Sequence, residues 1–478
     1  MKIVHETTVI TPSGHALHTL HNHSLVFDDC RVVALGSATD IQPRVDAGEF
    51  DEIIIGDRHV VIPGLVNTHH HLYQSLTRCL PTAQNERLFD WLLNLYDRWR
   101  YLDYEAVNIA AKVSIAELLL HGCTTTSDHF YMFPRGGDVK MEAVLAAAEE
   151  LGIRLHLCRG AMTLGQSRGG LPPDDCVEDD ADVLADCQRV LDAYHDPSDY
   201  ALRRIDLAPC SPFNCTREVL RDAVMLARER DNVLLHTHLA ETLDEERYCL
   251  ERYNCRPLQF LADLDFLGPD VYLAHCVHLN DGEIGLLAKT STGVSHNPSS
   301  NLRLGSGIAP IRKLLAAGVR VGLGVDGSSS NDGGNLLGEA RQALLAARAA
   351  GAMPGAMPKS AEAGRGHASD DVGQLFPVAD AFKLATVGGA ACLNRPVLGH
   401  LNPGAAADFA MFRVDDIALA GAIAQDPMAA LILCAAPRAD RVYIAGREVV
   451  HDGRITALDE GRLAGQLNEL VAARFRGD

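Results

Sequence analysis

The chain has 478 residues, 47% of them hydrophobic and 22% charged, a balance that suits a large buried core and more than one ordinary domain of about 150 residues. Its 43 basic and 63 acidic residues leave a formal charge of -20, which repels a phosphate backbone, and no basic run offsets it, so nucleic acid is excluded as a partner. The 13 cysteines are scattered without a Cys-x-x-Cys pair, the start carries no secretory signal and no window is apolar for long enough to span a bilayer, so the expectation is a cytoplasmic protein with reduced thiols and no membrane partner.

The first sixty or so residues divide into short strands with turn signals, such as 24–27 before Asp28-Asp29 and then 31–35. His15, His18, His21 and His23 form a histidine-rich patch here, expected to be an exposed hairpin and not a metal site. From about residue 60 to residue 350, apolar or β-branched runs alternate with helical periodicity. The predicted strands are 60–68, 123–128, 153–158, 205–210, 233–238, 271–275, 293–296 and 319–326. Between them lie amphipathic stretches over 104–120, 139–151, 183–194, 217–230 and 308–317. The segment 351–373, rich in Ala, Gly, Met, Pro and Ser, fits no repeat and is expected to be a loop or insertion. Short strands return at 407–412 and at 441–444 before Gly446.

Eight strand-helix units predict an α/β fold of the (β/α)8 type. The whole is a TIM-like barrel over 63–402 with a small β-sandwich formed by both termini, 1–62 and 403–478. A doubly wound open sheet would give a similar alternation. The polar residues favour the barrel, because reactive groups of a barrel collect where the C-terminal ends of many strands open onto one face. His69, His71, His238, His275 and Asp326 each close a predicted strand.

Residues two apart on a strand share a face, so His69 and His71 point together and His70 points away. Zinc takes imidazole and carboxylate ligands and keeps one position open when it is catalytic, and His69, His71, His238 and Asp326 would supply three nitrogens and one oxygen. Any one of these is also at home as a structural residue at a strand end, so the reading rests on the set. Glu241, three residues past His238, falls on the following loop, where a carboxylate can carry protons; a helix-entry acid is the plainer alternative. His275 is either a further ligand or a hydrogen-bond partner of the reacting oxygen, and His278 is structural. Gln74 can read the donor-acceptor edge of a ring, and Trp91 can stack on one or serve in the core. Arg78, Arg159, Cys210 and Asn301 are weaker candidates.

Five segments, Pro63-Gly64-Leu65-Val66-Asn67-Thr68-His69-His70-His71, His236-Thr237-His238-Leu239-Ala240-Glu241-Thr242, Ala274-His275-Cys276-Val277-His278, Ser295-His296-Asn297-Pro298-Ser299-Ser300-Asn301 and Gly324-Val325-Asp326-Gly327, resemble the amidohydrolase superfamily. Their order matches the group holding s-triazine chlorohydrolases and aminohydrolases, guanine deaminase and S-adenosylhomocysteine deaminase. Residues 68–78, 159–162 and 207–213 are most similar to the 8-oxoguanine deaminase branch. The resemblance implies hydrolytic deamination of a small heterocycle. 8-Oxoguanine comes first; isocytosine, another aminopyrimidine or guanine, or a chloro- or aminotriazine are the alternatives. It implies catalytic roles for Glu241, His275 and Asp326, with Asp326 accepting the water's proton, Glu241 protonating a ring nitrogen and His275 holding the oxygen. It also implies a homo-oligomer, as is frequent among relatives.

Members with two metals bridge them through a modified lysine on the fourth strand, but no lysine occurs between Lys140 and Lys289. One Zn2+ is therefore expected, with Fe2+ or another divalent metal able to take the same site. Gly322-Leu323-Gly324-Val325-Asp326-Gly327 fits a dinucleotide fingerprint, but Asp326 would set its charge against a pyrophosphate and the motif ends the alternation instead of starting it. A non-enzymatic relative would lack ligands that are all present here.

Overall fold

In a computed structural model, residues 1–14, 16–352, 375–434 and 437–476 are described. His15 and nearly all of the expected 351–373 insertion lie outside the described residues. The eight parallel strands of a closed barrel are Leu65–Asn67, Cys123–Phe130, Arg154–Ala161, Arg203–Pro209, Leu235–Leu239, Val271–His275, Gly293–His296 and Val321–Leu323. Closure is made by Leu323 pairing with Asn67. The helix predicted at 104–120 forms as Tyr104–Leu120, started by the Asp103 side chain accepting from the Ala106 N–H at 2.9 Å.

The termini build a second, mixed sheet of nine strands. Lys2–Ser13 pairs with Ala16–Phe27, His59–Pro63 joins the first of these to Phe409–Arg413, and Arg441–Ile444 and Arg447–His451 continue the sheet. Its inner face packs Phe27, Phe409 and Tyr443 ring against ring, with Phe409 and Tyr443 stacked at 4.7 Å. Sheet and barrel are tied by a buried bidentate pair, Arg154 to Asp408, at 2.8 and 2.9 Å.

The apolar run 60–68 is therefore not one strand. His59–Pro63 belongs to the terminal sheet and Leu65–Asn67 to the barrel, with Gly64 as the joint. A Cβ on Gly64 would stand 2.0 Å from Thr124 Oγ1, so only glycine lets the chain cross between sheets against the second barrel strand. Gly64→Val is expected to destabilise the fold by about 3 kcal/mol or more, through forced displacement of a buried strand. Denaturant unfolding of the variant, with Gly333→Ala at an open site as control, measures it.

The eighth strand also ends earlier than the sequence pattern suggests. It stops at Leu323, and Asp326 sits beyond it in a left-handed turn at φ 62°. The glycines before and after explain the decoy fingerprint. A Cβ on Gly324 would stand 2.7 Å from the His69 Cβ, and one on Gly327 would stand 1.9 Å from Gln74 Oε1. They make room for site residues and not for a pyrophosphate.

Candidate functional site

The C-terminal ends of the strands carry a buried cluster of imidazoles and carboxylates. His69 and His71 follow the first strand, His129 is on the second, His238 on the fifth and His275 closes the sixth. Asp326 follows the eighth, and all of these except His238 are at most 5% exposed.

Proton positions follow from outer hydrogen bonds. His71 Nδ1 faces the His129 carbonyl at 2.7 Å and His238 Nδ1 faces the Cys210 carbonyl at 2.7 Å, so both Nδ1 atoms carry the proton. His236 Nδ1 donates to the Tyr272 carbonyl at 2.8 Å, which leaves its Nε2 to accept from His69 Nδ1–H at 2.8 Å. Burial pushes His69 and His238 well below the ordinary histidine range, His71 also below it and His236 to about 3, so all four rings are neutral. The Nε2 atoms of His69, His71 and His238 are then bare lone pairs.

Those lone pairs face other acceptors. His71 Nε2 lies 3.2 Å from His238 Nε2, and Asp326 Oδ1 lies 3.3 Å from His69 Nε2 and 3.4 Å from His71 Nε2. Acceptors at such separations repel unless a cation lies between them. Ligand atoms around a tetrahedral zinc, at about 2.0–2.1 Å, stand about 3.3 Å apart. The donor set therefore fits a metal ion in both chemistry and spacing.

His275 differs from its neighbours. Its Nδ1–H donates to Asn301 Oδ1 at 2.8 Å, and its Nε2 stands 3.5 Å from Glu241 Oε2 and 3.8 Å from Asp326 Oδ2. Burial works against a charge on this ring, yet Glu241 and Asp326 hold its pKa above the ordinary value. It is a donor aimed at the two carboxylates. Burial pushes the Glu241 carboxyl up to about 7, where it can both hold and release a proton near neutrality.

A pocket opens on this cluster, lined by His71, His238, Glu241, His275 and Asp326 and by Gln74, Trp91, Leu88, Leu92 and Phe213. Gln74 is 1% exposed, and neither its Oε1 nor its Nε2 has a partner. The Trp91 indole N–H is engaged by the Ser329 carbonyl at 3.3 Å, which leaves the ring faces for packing. His69, His71, Gln74, Trp91, His238, Glu241, His275 and Asp326 are thus brought together.

Of the weaker candidates, Cys210 and Asn301 contact the histidines, whereas Arg78 pairs with Glu117 at 2.6 Å and Arg159 with Glu178 and Asp186 at 2.6 Å each, away from the pocket. His278 binds the Ser306 carbonyl. Sequence reasoning missed His129, whose ring stacks on His238 at 4.6 Å, and the orienting role of His236. For His236 the signal was present, since it is two residues before His238 and shares its face. Among the described residues, His69, His71, His129 and His238 form one group able to hold a metal, and His69, His275 and Asp326 another.

A closed parallel barrel with metal-holding histidines and acids at the C-terminal ends of its strands defines a metal-dependent barrel hydrolase. The chain belongs to the amidohydrolase family, which its residues 60–449 match, and it is a hydrolase of C–N bonds. It is 44% identical to the 8-oxoguanine deaminase of Pseudomonas aeruginosa over 95% of each chain. It is 37% identical to the hydroxydechloroatrazine ethylaminohydrolase of a Pseudomonas species over 87% of this chain and 83% of the relative. An atrazine chlorohydrolase of Arthrobacter aurescens, solved in complex with zinc, superposes with a TM-score of 0.89 at 32% identity, covering 98% of this chain and all of the other. Among the described residues no helix is long and apolar enough to cross a membrane.

Proposed function

We propose that the protein is a deaminase with one zinc ion that converts 8-oxoguanine and water to urate and ammonia. The observation that carries this reading is the pair of unpartnered amide atoms on buried Gln74, which lines the same pocket as Glu241 and Asp326. A primary amide offers one donor and one acceptor side by side, the complement of a lactam edge on an oxopurine. The likeness to the Pseudomonas aeruginosa deaminase supports the same substrate.

A zinc ion held by His69, His71, His238 and Asp326 would lower the pKa of a water from about 16 to about 7. The absence of lysine from the fourth strand, Arg203–Pro209, supports a single ion. Asp326 accepts the proton of the attacking water. Glu241 gives a proton to the ring nitrogen beside the amino-bearing carbon, and His275 Nε2–H holds the oxygen as charge develops on it. The amino group takes a proton from one of the carboxylates and leaves as ammonia, the added hydroxyl gives its proton to the other, and a C=O replaces the C–NH2. Leu88, Leu92 and Phe213 give the pocket apolar walls beside these transfers.

The test is ammonia release from 8-oxoguanine, guanine, isocytosine, cytosine and an aminotriazine, with metal analysis of the purified enzyme. Preference for 8-oxoguanine supports the reading, and preference for the triazine replaces it with the chemistry of the triazine hydrolases. Gln74→Leu is expected to lower kcat/KM for 8-oxoguanine by about 10- to 100-fold, the effect of an unpaired edge on a buried ligand, with metal content unchanged. An equal loss for every compound would mean that Gln74 does not select the ring.

A further inference from the structure

We infer that Glu245 is a positioning residue for catalysis, a carboxylate whose work is to hold the turn that presents Glu241. The inference rests on the role proposed for Glu241 above.

Glu245 is fully buried and lies in the first turn of the helix Leu243–Tyr253. The helix is capped by Thr242, whose hydroxyl accepts from the Glu245 N–H. In a capping box the acid at this position reaches back to the N–H of the cap residue itself. Here it reaches further. Glu245 Oε1 accepts from the Ala240 N–H at 2.9 Å, and Oε2 accepts from the Glu241 N–H at 2.9 Å.

Ala240 needs such support, because it is a non-glycine residue in the left-handed region at φ 50°. Its peptide is gripped from both sides: its N–H is taken by Glu245, and its carbonyl accepts from the Val277 N–H at 3.0 Å and the His278 N–H at 2.9 Å. Those two residues lie just past His275, separated from it by Cys276 alone, whose own N–H is taken by the Leu239 carbonyl at 3.0 Å. One carboxylate therefore fixes the direction in which the chain leaves His238 and the distance between Glu241 and His275, whose side chains meet at 3.5 Å. Glu245 itself does not line the pocket. Its influence on the reaction passes through Glu241.

The experiment compares Glu245→Ala, Glu245→Gln and Thr242→Ala in the zinc-loaded enzyme, with each Glu245 variant also made in the Glu241→Gln background. Glu245→Ala is expected to lower kcat by about 100-fold, the scale of an ångström's misplacement of a reacting group. Glu245→Gln keeps one acceptor oxygen and is expected to lose about 10-fold, with KM within threefold of the parent in both. Thr242→Ala removes the helix cap but neither bond to the turn, so it is expected to lower Tm and leave kcat within threefold. In the Glu241→Gln background the Glu245 variants should cause no further loss, because the residue they position is already silent. Equal losses in both backgrounds would overturn the inference and make Glu245 a structural acid. Should Glu245→Ala fail to fold, Glu245→Gln alone carries the comparison. Near-normal turnover in Glu241→Gln itself would instead overturn the role proposed for Glu241.

Discussion

Glu241→Gln is expected to keep its metal and lose about 10³-fold in kcat, roughly 4 kcal/mol of transition-state stabilisation. The amide matches the carboxyl in size and can still meet His275, but it can neither bind nor release a proton. Glu241 is 4% exposed in a pocket walled partly by leucines and aromatics, a setting in which bulk water is a poor substitute for a positioned carboxyl. Its environment suits the task. Burial raises the carboxyl's hold on its proton, to about 7, while His275 draws it toward the charged form. A group poised there transfers a proton in either direction near neutral pH. KM should change little, because the proton moves only as the reaction proceeds. The measurement is steady-state kinetics beside metal analysis of the same preparation. Loss of metal in this variant, or turnover within tenfold of the parent, would remove Glu241 from the chemistry.

The barrel was legible because its strands repeat a simple pattern, and the histidine part of the candidate site was legible because His69, His71, His238 and His275 stand at or just past strand ends. The His-x-His after Val66 and the His-x-His ending at His238 are period-two signals that any parallel strand would aim inward. What could not be read from spacing was set by distant packing. The joint at Gly64 depends on Thr124, and the turn at Asp326 depends on Gly324 lying against His69. His129 gave no local sign of its place, because its stacking on His238 joins the second strand to the fifth across the barrel mouth. The pocket walls were similarly hidden. Leu88, Trp91 and Leu92 belong to a helix, Leu88–Trp99, outside the repeat, and only the fold brings it over the histidines.

His69→Ala is expected to yield a folded protein without bound metal, with turnover down by roughly 10⁴-fold or more, since the water then keeps its ordinary pKa of about 16. His69 contributes a lone pair that meets Asp326 Oδ1 at 3.3 Å, and its Nδ1–H is already committed to His236. Truncation removes the nitrogen outright, and the two neighbouring rings cannot shift to fill its place, because His71 and His238 are pinned by the carbonyls of His129 and Cys210. His236→Ala provides the contrast. It leaves every Nε2 in place and removes only the acceptor that orients His69, so it is expected to weaken metal affinity by about 10- to 100-fold. Added zinc should therefore restore His236→Ala and fail to restore His69→Ala. If the two variants respond alike to zinc, His69 is an orienting residue and not a ligand. Full metal content in His69→Ala would shift the site toward the group that includes His129.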